Sequence, residues 1–200
     1  MTHSTPIYDE RRIKDELASW TRTRRVAFSC AVAERLMATY EWFTTVADQG
    51  DESALRSALD LAWSVAASEP ASLSDIKSAR ETAESLVPDD QDDNWMILSP
   101  LAQNAAASVA YALRASLVDD PQEAVWAARQ LHEAADYLVQ LVAPEQTYES
   151  DFSSSPMSIA LGGIETALAS AASTPVSELR TKSADDGWKL RCLLEPGTKT

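Results

Sequence analysis

AVAERLMATYEWFTTVADQGDESALRSALDLAW, residues 31–63, decides the fold. Apolar side chains recur at helical spacing as far as Ala47. Gly50 and Asp51 then supply a stop and a start, and LRSALDLAW resumes the same period. Leu55, Leu59 and Trp63 stand one turn apart on a single face of that second helix. The stretch is a helical hairpin, with Gly50 expected in the left-handed stop and Asp51 as the cap of the returning helix.

Toward the N-terminus the first arm extends back to about Arg22, giving a helix of about 39 Å. Phe28, Val32, Leu36, Tyr40, Phe43 and Ala47 form one stripe along it, and Val26, Cys30, Ala33 and Met37 form another. Two stripes predict burial on more than one side, so this helix is the expected centre of the molecule. Thr21 or Thr23 is its candidate cap. A short helix over Asp9 to Trp20, with Ile13 and Leu17 inward, precedes it. Residues 1–8 read as a flexible N-terminus.

Toward the C-terminus four more helices follow. One starts at Ser72 or Ser74 and turns Ile76, Ala79, Ala83 and Leu86 inward until Pro88. Another runs from about Ser99 to Val118, with Pro100 in its first turn. Asp120 caps a third, which begins at Pro121 and carries Ala124, Ala128, Leu131, Ala135, Leu138 and Val142. After the polar stretch 145–156, a helix over about Met157 to Ala172 contains a Gly162-Gly163 pair, which implies close packing or a kink. Beyond Pro175 the pattern weakens. Val176 to Lys182 reads as a short helix, and WKLRCLL is ambiguous between strand and helix. The expected fold is therefore all-α: a single compact helical bundle of six to eight helices around a long central helix. The helical domain spans 9–174, and 175–200 is a variable C-terminal segment.

Composition agrees. A 200-residue chain with only five glycines can bury about 70% of its unfolded surface in one core without staples. Cys30 and Cys192 are far apart, which argues against a disulfide framework and for a reduced, cytoplasmic compartment. The N-terminal MTHSTPIYDERR lacks the apolar run of a signal peptide, and no run of 18 apolar residues occurs. The net charge of −14 is concentrated: residues 41–165 hold 22 acidic and five basic side chains. Such a surface repels nucleic acid and anionic membranes.

Motifs for chemistry are few. His132 and Asp136 sit one turn apart, a spacing that can orient a base, but no nucleophile is assignable to them. His3 lies in the flexible N-terminus. There is no HExxH, no CxxC and no Gly-rich phosphate loop. Asp89, Asp90, Asp92 and Asp93 lack the glycine and closing glutamate of an EF-hand. Neither a metal, a cofactor nor a catalytic residue is assigned. Arg22, Arg24 and Arg25 form a small basic patch, expected to pair with the acidic belt. Arg35 and Arg56 are expected to be held by carboxylates, with Asp60 and Glu34 nearest in the hairpin. The six tryptophans are expected in helix packing, an exposed one marking a contact surface.

Glu34-Arg35-Leu36-Met37, Tyr40, Phe43, Gly50-Asp51, Leu55-Arg56, Leu59-Asp60, Trp63, Pro88-Asp89, Asp92 and the Ala-rich helix from Ala102 to Leu113 occur in an informative order. Over residues 13–142 the chain resembles a bacterial, YjaG-like family of unknown function, with Glu165 a further match. The resemblance implies an all-helical domain and implies no reaction.

Two classes of function are compatible with this sequence. The first is a non-catalytic acidic binding protein, in sharper form an immunity protein that neutralises a basic, nuclease-like toxin. Its contacts are expected at Asp89, Asp90, Asp92, Asp93, Asp119 and Asp120, with a basic protein as partner and a homo-oligomer left open. The second class is a housekeeping or stress protein of the YjaG-like family, or a carboxylate- and metal-dependent hydrolase resting on the clustered aspartates.

Overall fold

The computed structural model describes residues 7–88, 98–142, 155–171 and 173–195. Among these residues there are eight helices and no strand: α1 (Glu10–Ala18), α2 (Arg22–Ala47), α3 (Glu52–Ala66), α4 (Leu73–Ser85), α5 (Ser99–Leu117), α6 (Pro121–Val142), α7 (Pro156–Ser170) and α8 (Val176–Cys192). α2 is the axis, packed against α3, α5, α6, α7 and α8. α4 covers α3 and α5, and α1 lies on α6.

Local chemistry sets these boundaries. Thr21 accepts from the Arg24 N–H to open α2, Asp51 from Ala54 at 2.8 Å to open α3, and Ser72 from Asp75 at 3.1 Å to open α4. Each side chain satisfies an N–H that the first helical turn leaves unpaired. α2 ends at Ala47 as its spacing predicts, but its cap is not the glycine expected. Asp48, at φ 52°, takes the left-handed capping position, and Gly50, at φ 83°, provides a second left-handed residue in the same connection. Aspartate tolerates this region because its short side chain bonds locally. Gly50 must stay bare, since a Cβ there would stand 2.7 Å from the Tyr40 hydroxyl.

Burial of α2 goes beyond its two stripes. Every residue from Arg25 to Tyr40 is buried, whichever way it faces. Phe28, Val32, Leu36, Phe43, Leu59, Trp63, Leu113, Leu131 and Leu138 all lie in the one core, as their spacing predicts. α5 contributes a small-residue face, Ala102, Ala105, Ala106, Val109 and Ala112, which permits its close contact with α2.

The C-terminal stretch resolves the ambiguity of WKLRCLL. Residues 176–192 form one continuous helix, not a short helix followed by a possible strand. Its buried positions are only Leu179, Ser183, Gly187 and Leu190, a narrow stripe broken by two small residues. That stripe escapes a reading that looks for large apolar side chains. Among the described residues no helix is long and apolar enough to cross a membrane.

Candidate functional site

Midway along α2, Glu34 and Arg35 are consecutive, charged and buried, with 4% and 0% of their surface exposed. Neighbours on a helix point about 100° apart, so the two side chains meet different helices. Burying each charge requires partners close enough to replace water.

Glu34 faces α3. Arg56 Nη1 donates to its Oε1 at 2.7 Å, and Trp63 Nε1 donates to its Oε2 at 2.8 Å. From α8, Arg180 Nε lies 3.6 Å from the same Oε2, while its Nη2 donates to Asp60. Arg56 also reaches Glu41 at 3.4 Å, and Arg191 reaches Glu41 at 3.9 Å. Charges thus alternate where α2, α3 and α8 meet. Burial pulls the Arg56 guanidinium toward deprotonation, but Glu34 and Glu41 outweigh it and hold the pKa above its usual value. Cys30, one turn before Glu34, is a buried free thiol. Burial first, and Glu34 second, push its pKa well up, so it is kept from nucleophilic thiolate chemistry.

Arg35 faces α7 and α8. Its Nη1 donates to Ala31 O at 2.6 Å and to Ser183 Oγ at 2.8 Å, and its Nη2 donates to Asp186 Oδ2 at 3.1 Å. Its Nε has no partner among the described residues. Burial lowers this guanidinium's pKa, and Asp186 works against that. Two glycines make room for it. A Cβ on Gly163 would stand 2.5 Å from Arg35 Nε, and a Cβ on Gly187 would stand 2.7 Å from the Arg35 carbonyl oxygen. Gly162 has open space around it. The paired glycines of α7 therefore serve close packing through one member only.

The two arginines are held by carboxylates, one of them by an expected partner and the other not. Glu34 takes Arg56, whereas Asp60 takes Arg180 and Arg35 is held by Asp186. The missed signal is Ser183-x-x-Asp186-Gly187, whose spacing puts a hydroxyl, a carboxylate and a gap on one helical face. It is legible only once α8 is known to be helical.

Beside the Glu34 cluster, α3 and the start of α8 enclose an open groove of about 630 Å³, lined among others by Asp60, Trp63, Ser64, Glu69, Ser177 and Arg180. Asp60 and Arg180 are partly exposed there, whereas Trp63 is only 3% exposed.

The expected contact residues have other duties as well. Asp119 and Asp120 are exposed on the α5–α6 connection. Asp119 accepts from the buried Arg25, and Asp120 accepts from the Gln122 N–H at 2.8 Å to cap α6. Asp89, Asp90, Asp92 and Asp93 lie outside the described residues, as do His3 and Trp95. His132 is half-buried and stacked on Tyr8, ring centroids 4.6 Å apart, while Asp136 accepts from Gln140 at 3.1 Å. Among the described residues no three His, Cys, Asp or Glu side chains cluster closely enough to hold a metal ion. Trp188 is 55% exposed, with the Arg191 guanidinium 5.1 Å from its ring centre.

The chain belongs to the DUF416 family, a protein family of unknown function, whose model matches residues 12–191. The crystal structure of a DUF416 family protein from Shewanella baltica OS155 is similar in fold, with a TM-score of 0.57 at 17% identity over 92% of this chain and 93% of that one. None of the curated proteins matches significantly.

Proposed function

We propose that this DUF416 protein is a non-catalytic acidic binding protein for a basic protein partner, in its sharper form an immunity protein that neutralises a nuclease-like toxin in the bacterial cytoplasm. The observation that carries the reading is the segregation of charge, with 22 acidic against five basic side chains over residues 41–165. The described part of that belt supports it. Asp48, Asp51, Glu52, Glu69, Asp75, Glu81 and Glu84 are all exposed along α3, α4 and their flanks. A field of one sign speeds encounter with a basic partner and suppresses wrong ones. The charges at the centre support a non-catalytic role: the buried Glu34 and Arg35 and the half-buried Arg56 join helices to one another through pairs.

The YjaG-like likeness of residues 13–142 belongs to this reading as its family context. A housekeeping or stress role within that family is the second reading, favoured by the match to a family of unknown function.

The test has two stages. Capture from the native host identifies the partner, with the neighbouring genes read beside it. Association is then measured at low and high salt for the parent and for a variant with Asp89, Asp90, Asp92, Asp93, Asp119 and Asp120 all replaced by Asn. The reading expects a slower on-rate for the variant and a weaker salt dependence. An unchanged on-rate and salt dependence rejects those six as the docking face, and a partner that is not basic rejects the function.

A further inference from the structure

We propose that α8 is a charge latch: it lifts off α2 and α3 as one unit while the rest of the bundle stays folded, and salt releases it.

Closed, α8 is held by little apolar surface. Leu179 and Leu190 are its two large buried side chains, Ser183 and Gly187 fill the stripe between them, and Val176 is half-buried at its start. Polar ties add to these. Arg35 bonds Ser183 Oγ and Asp186 Oδ2, Arg180 reaches Asp60 and Glu34, and Arg191 reaches Glu41.

The ions on both sides of this junction keep partners of their own when it parts. On α8, Asp186 Oδ1 already accepts from Lys189 at 2.8 Å, and Arg191 lies 3.5 Å from Glu195 and against the Trp188 ring. On the other side, Glu34 keeps Arg56 and the Trp63 indole, Glu41 keeps Arg56, and Arg35 keeps the Ala31 carbonyl of its own helix. Arg180 and Asp60 lose each other, but both are already partly in water, 38% and 47% exposed. The Arg35 guanidinium, wholly buried and with an Nε that has no partner among the described residues, is rehydrated as Ser183 and Asp186 leave. Rehydration offsets much of the lost attraction, because burying an ion pair recovers little more than its desolvation costs. An apolar face such as that of α6 has no such alternative on parting.

The junction is also sensitive to salt. α8 holds four basic and three acidic side chains, on a chain of net charge −14. Salt screens the attraction across the junction, most of all at the partly exposed Arg180–Asp60 pair, and it relieves self-repulsion in the acidic remainder. The open form frees Glu34, Glu41 and Asp60 from the α8 arginines, so acidic charge on the α2–α3 face rises as α8 leaves.

The experiment measures amide hydrogen exchange of the ¹⁵N-labelled full chain in sodium chloride at about 0.1 M and about 1 M. The α8 amides of Leu179, Ser183, Gly187 and Leu190 are read against those of Leu131 and Ala135 in α6, each rate divided by that of the same amide in an unfolded chain. In the lower salt the four α8 amides should share one opening constant, about tenfold or more above that of α6. In the higher salt the α8 constant should rise about threefold, and the α6 constant by less. Arg180→Gln with Arg191→Gln removes two outer ties and leaves Arg35 in place. It should raise the α8 constant about tenfold, the size of two partly exposed ion pairs, and remove most of the salt effect. The α6 constant should rise by the same factor, because the fully unfolded chain has lost those ties too. α8 amides that open no more readily than those of α6, or that exchange one by one from an end, overturn the latch. So does an α8 constant that salt leaves unchanged or lowers, or a double variant whose α8 opens no more readily than the parent's.

Discussion

α6 and α8 both pack against α2, yet different physics holds them. α6 buries Ala124, Val125, Ala127, Ala128, Leu131, Ala134, Ala135 and Leu138, a long apolar face with one buried charge, Glu123, at its start, paired with Arg114. α8 buries four residues, two of them Ser183 and Gly187, and adds ionic contacts through Arg180, Asp186 and Arg191. The first helix is attached by area removed from water. The second is attached by close approach around one buried arginine. The difference teaches that a helix can be fully integrated into a bundle while showing little of the period that announces helices in a sequence.

The sharpest way to break this contrast is to remove each helix's main attachment. Arg35→Ala leaves Asp186 and Ser183 facing a void, and should cost about 3–5 kcal/mol, the range for breaking a buried ion pair from one side. Leu131→Ala in α6 should cost a similar amount, about 2–5 kcal/mol, through the cavity it leaves. Denaturant titration gives both. If Arg35→Ala costs less than 1 kcal/mol, α8 is not held by its arginine.

Next in size is Gly187→Ala. Its Cβ would meet the Arg35 backbone oxygen at 2.7 Å. Backbone cannot rotate away, so α8 must shift, at about 1–3 kcal/mol. Gly163→Ala meets a side chain instead and should cost less, although Arg35 has little freedom to move. Gly162→Ala sharpens the point by reversing the sign. It is exposed, with nothing within 4 Å of its Cβ position. The substitution should stabilise by about 0.4–1 kcal/mol by restricting the unfolded chain. Adjacent glycines giving opposite shifts in Tm would establish that only one of them serves packing; matching shifts would refute it.

The smallest effect is expected from Arg180→Ala. Its side chain is 38% exposed, so solvent screening holds the loss to about 1 kcal/mol or less. That loss should shrink in high salt, whereas the Leu131→Ala loss should not. A loss that is independent of salt would mean the aliphatic stem of Arg180, not its charge, secures α8.

These contrasts explain what was legible in the sequence. The limits of α2 and α6 follow from periodic large apolar residues bounded by Thr21, Asp120 and Pro121, whose local chemistry admits few alternatives. The cap on Asp51 is legible for the same reason. The left-handed stop at Asp48 is not, because glycine two residues later is the stronger signal and both residues turn out to be left-handed. The buried charges of Glu34 and Arg35 are visible as residues but not as partners. Arg56 is within reach in the hairpin, while Ser183 and Asp186 are 148 and 151 residues beyond Arg35. Their meeting depends on α8, and α8 announces itself through absences of bulk at Ser183 and Gly187. The groove is hidden still more deeply, since it forms where the end of one helix meets the start of another.

The two thiols have a consequence of their own. Cys30 lies inside the sheathed stretch of α2, and Cys192 sits exposed at the end of α8. A maleimide or disulfide reagent therefore meets two rates in one molecule. Cys192 is open to reagent without any opening of the fold. Cys30 is modified only when the centre of the bundle opens, so its labelling counts openings of α2. With Cys192 first blocked, the mass added over hours measures how often the core is breached, without any probe being introduced.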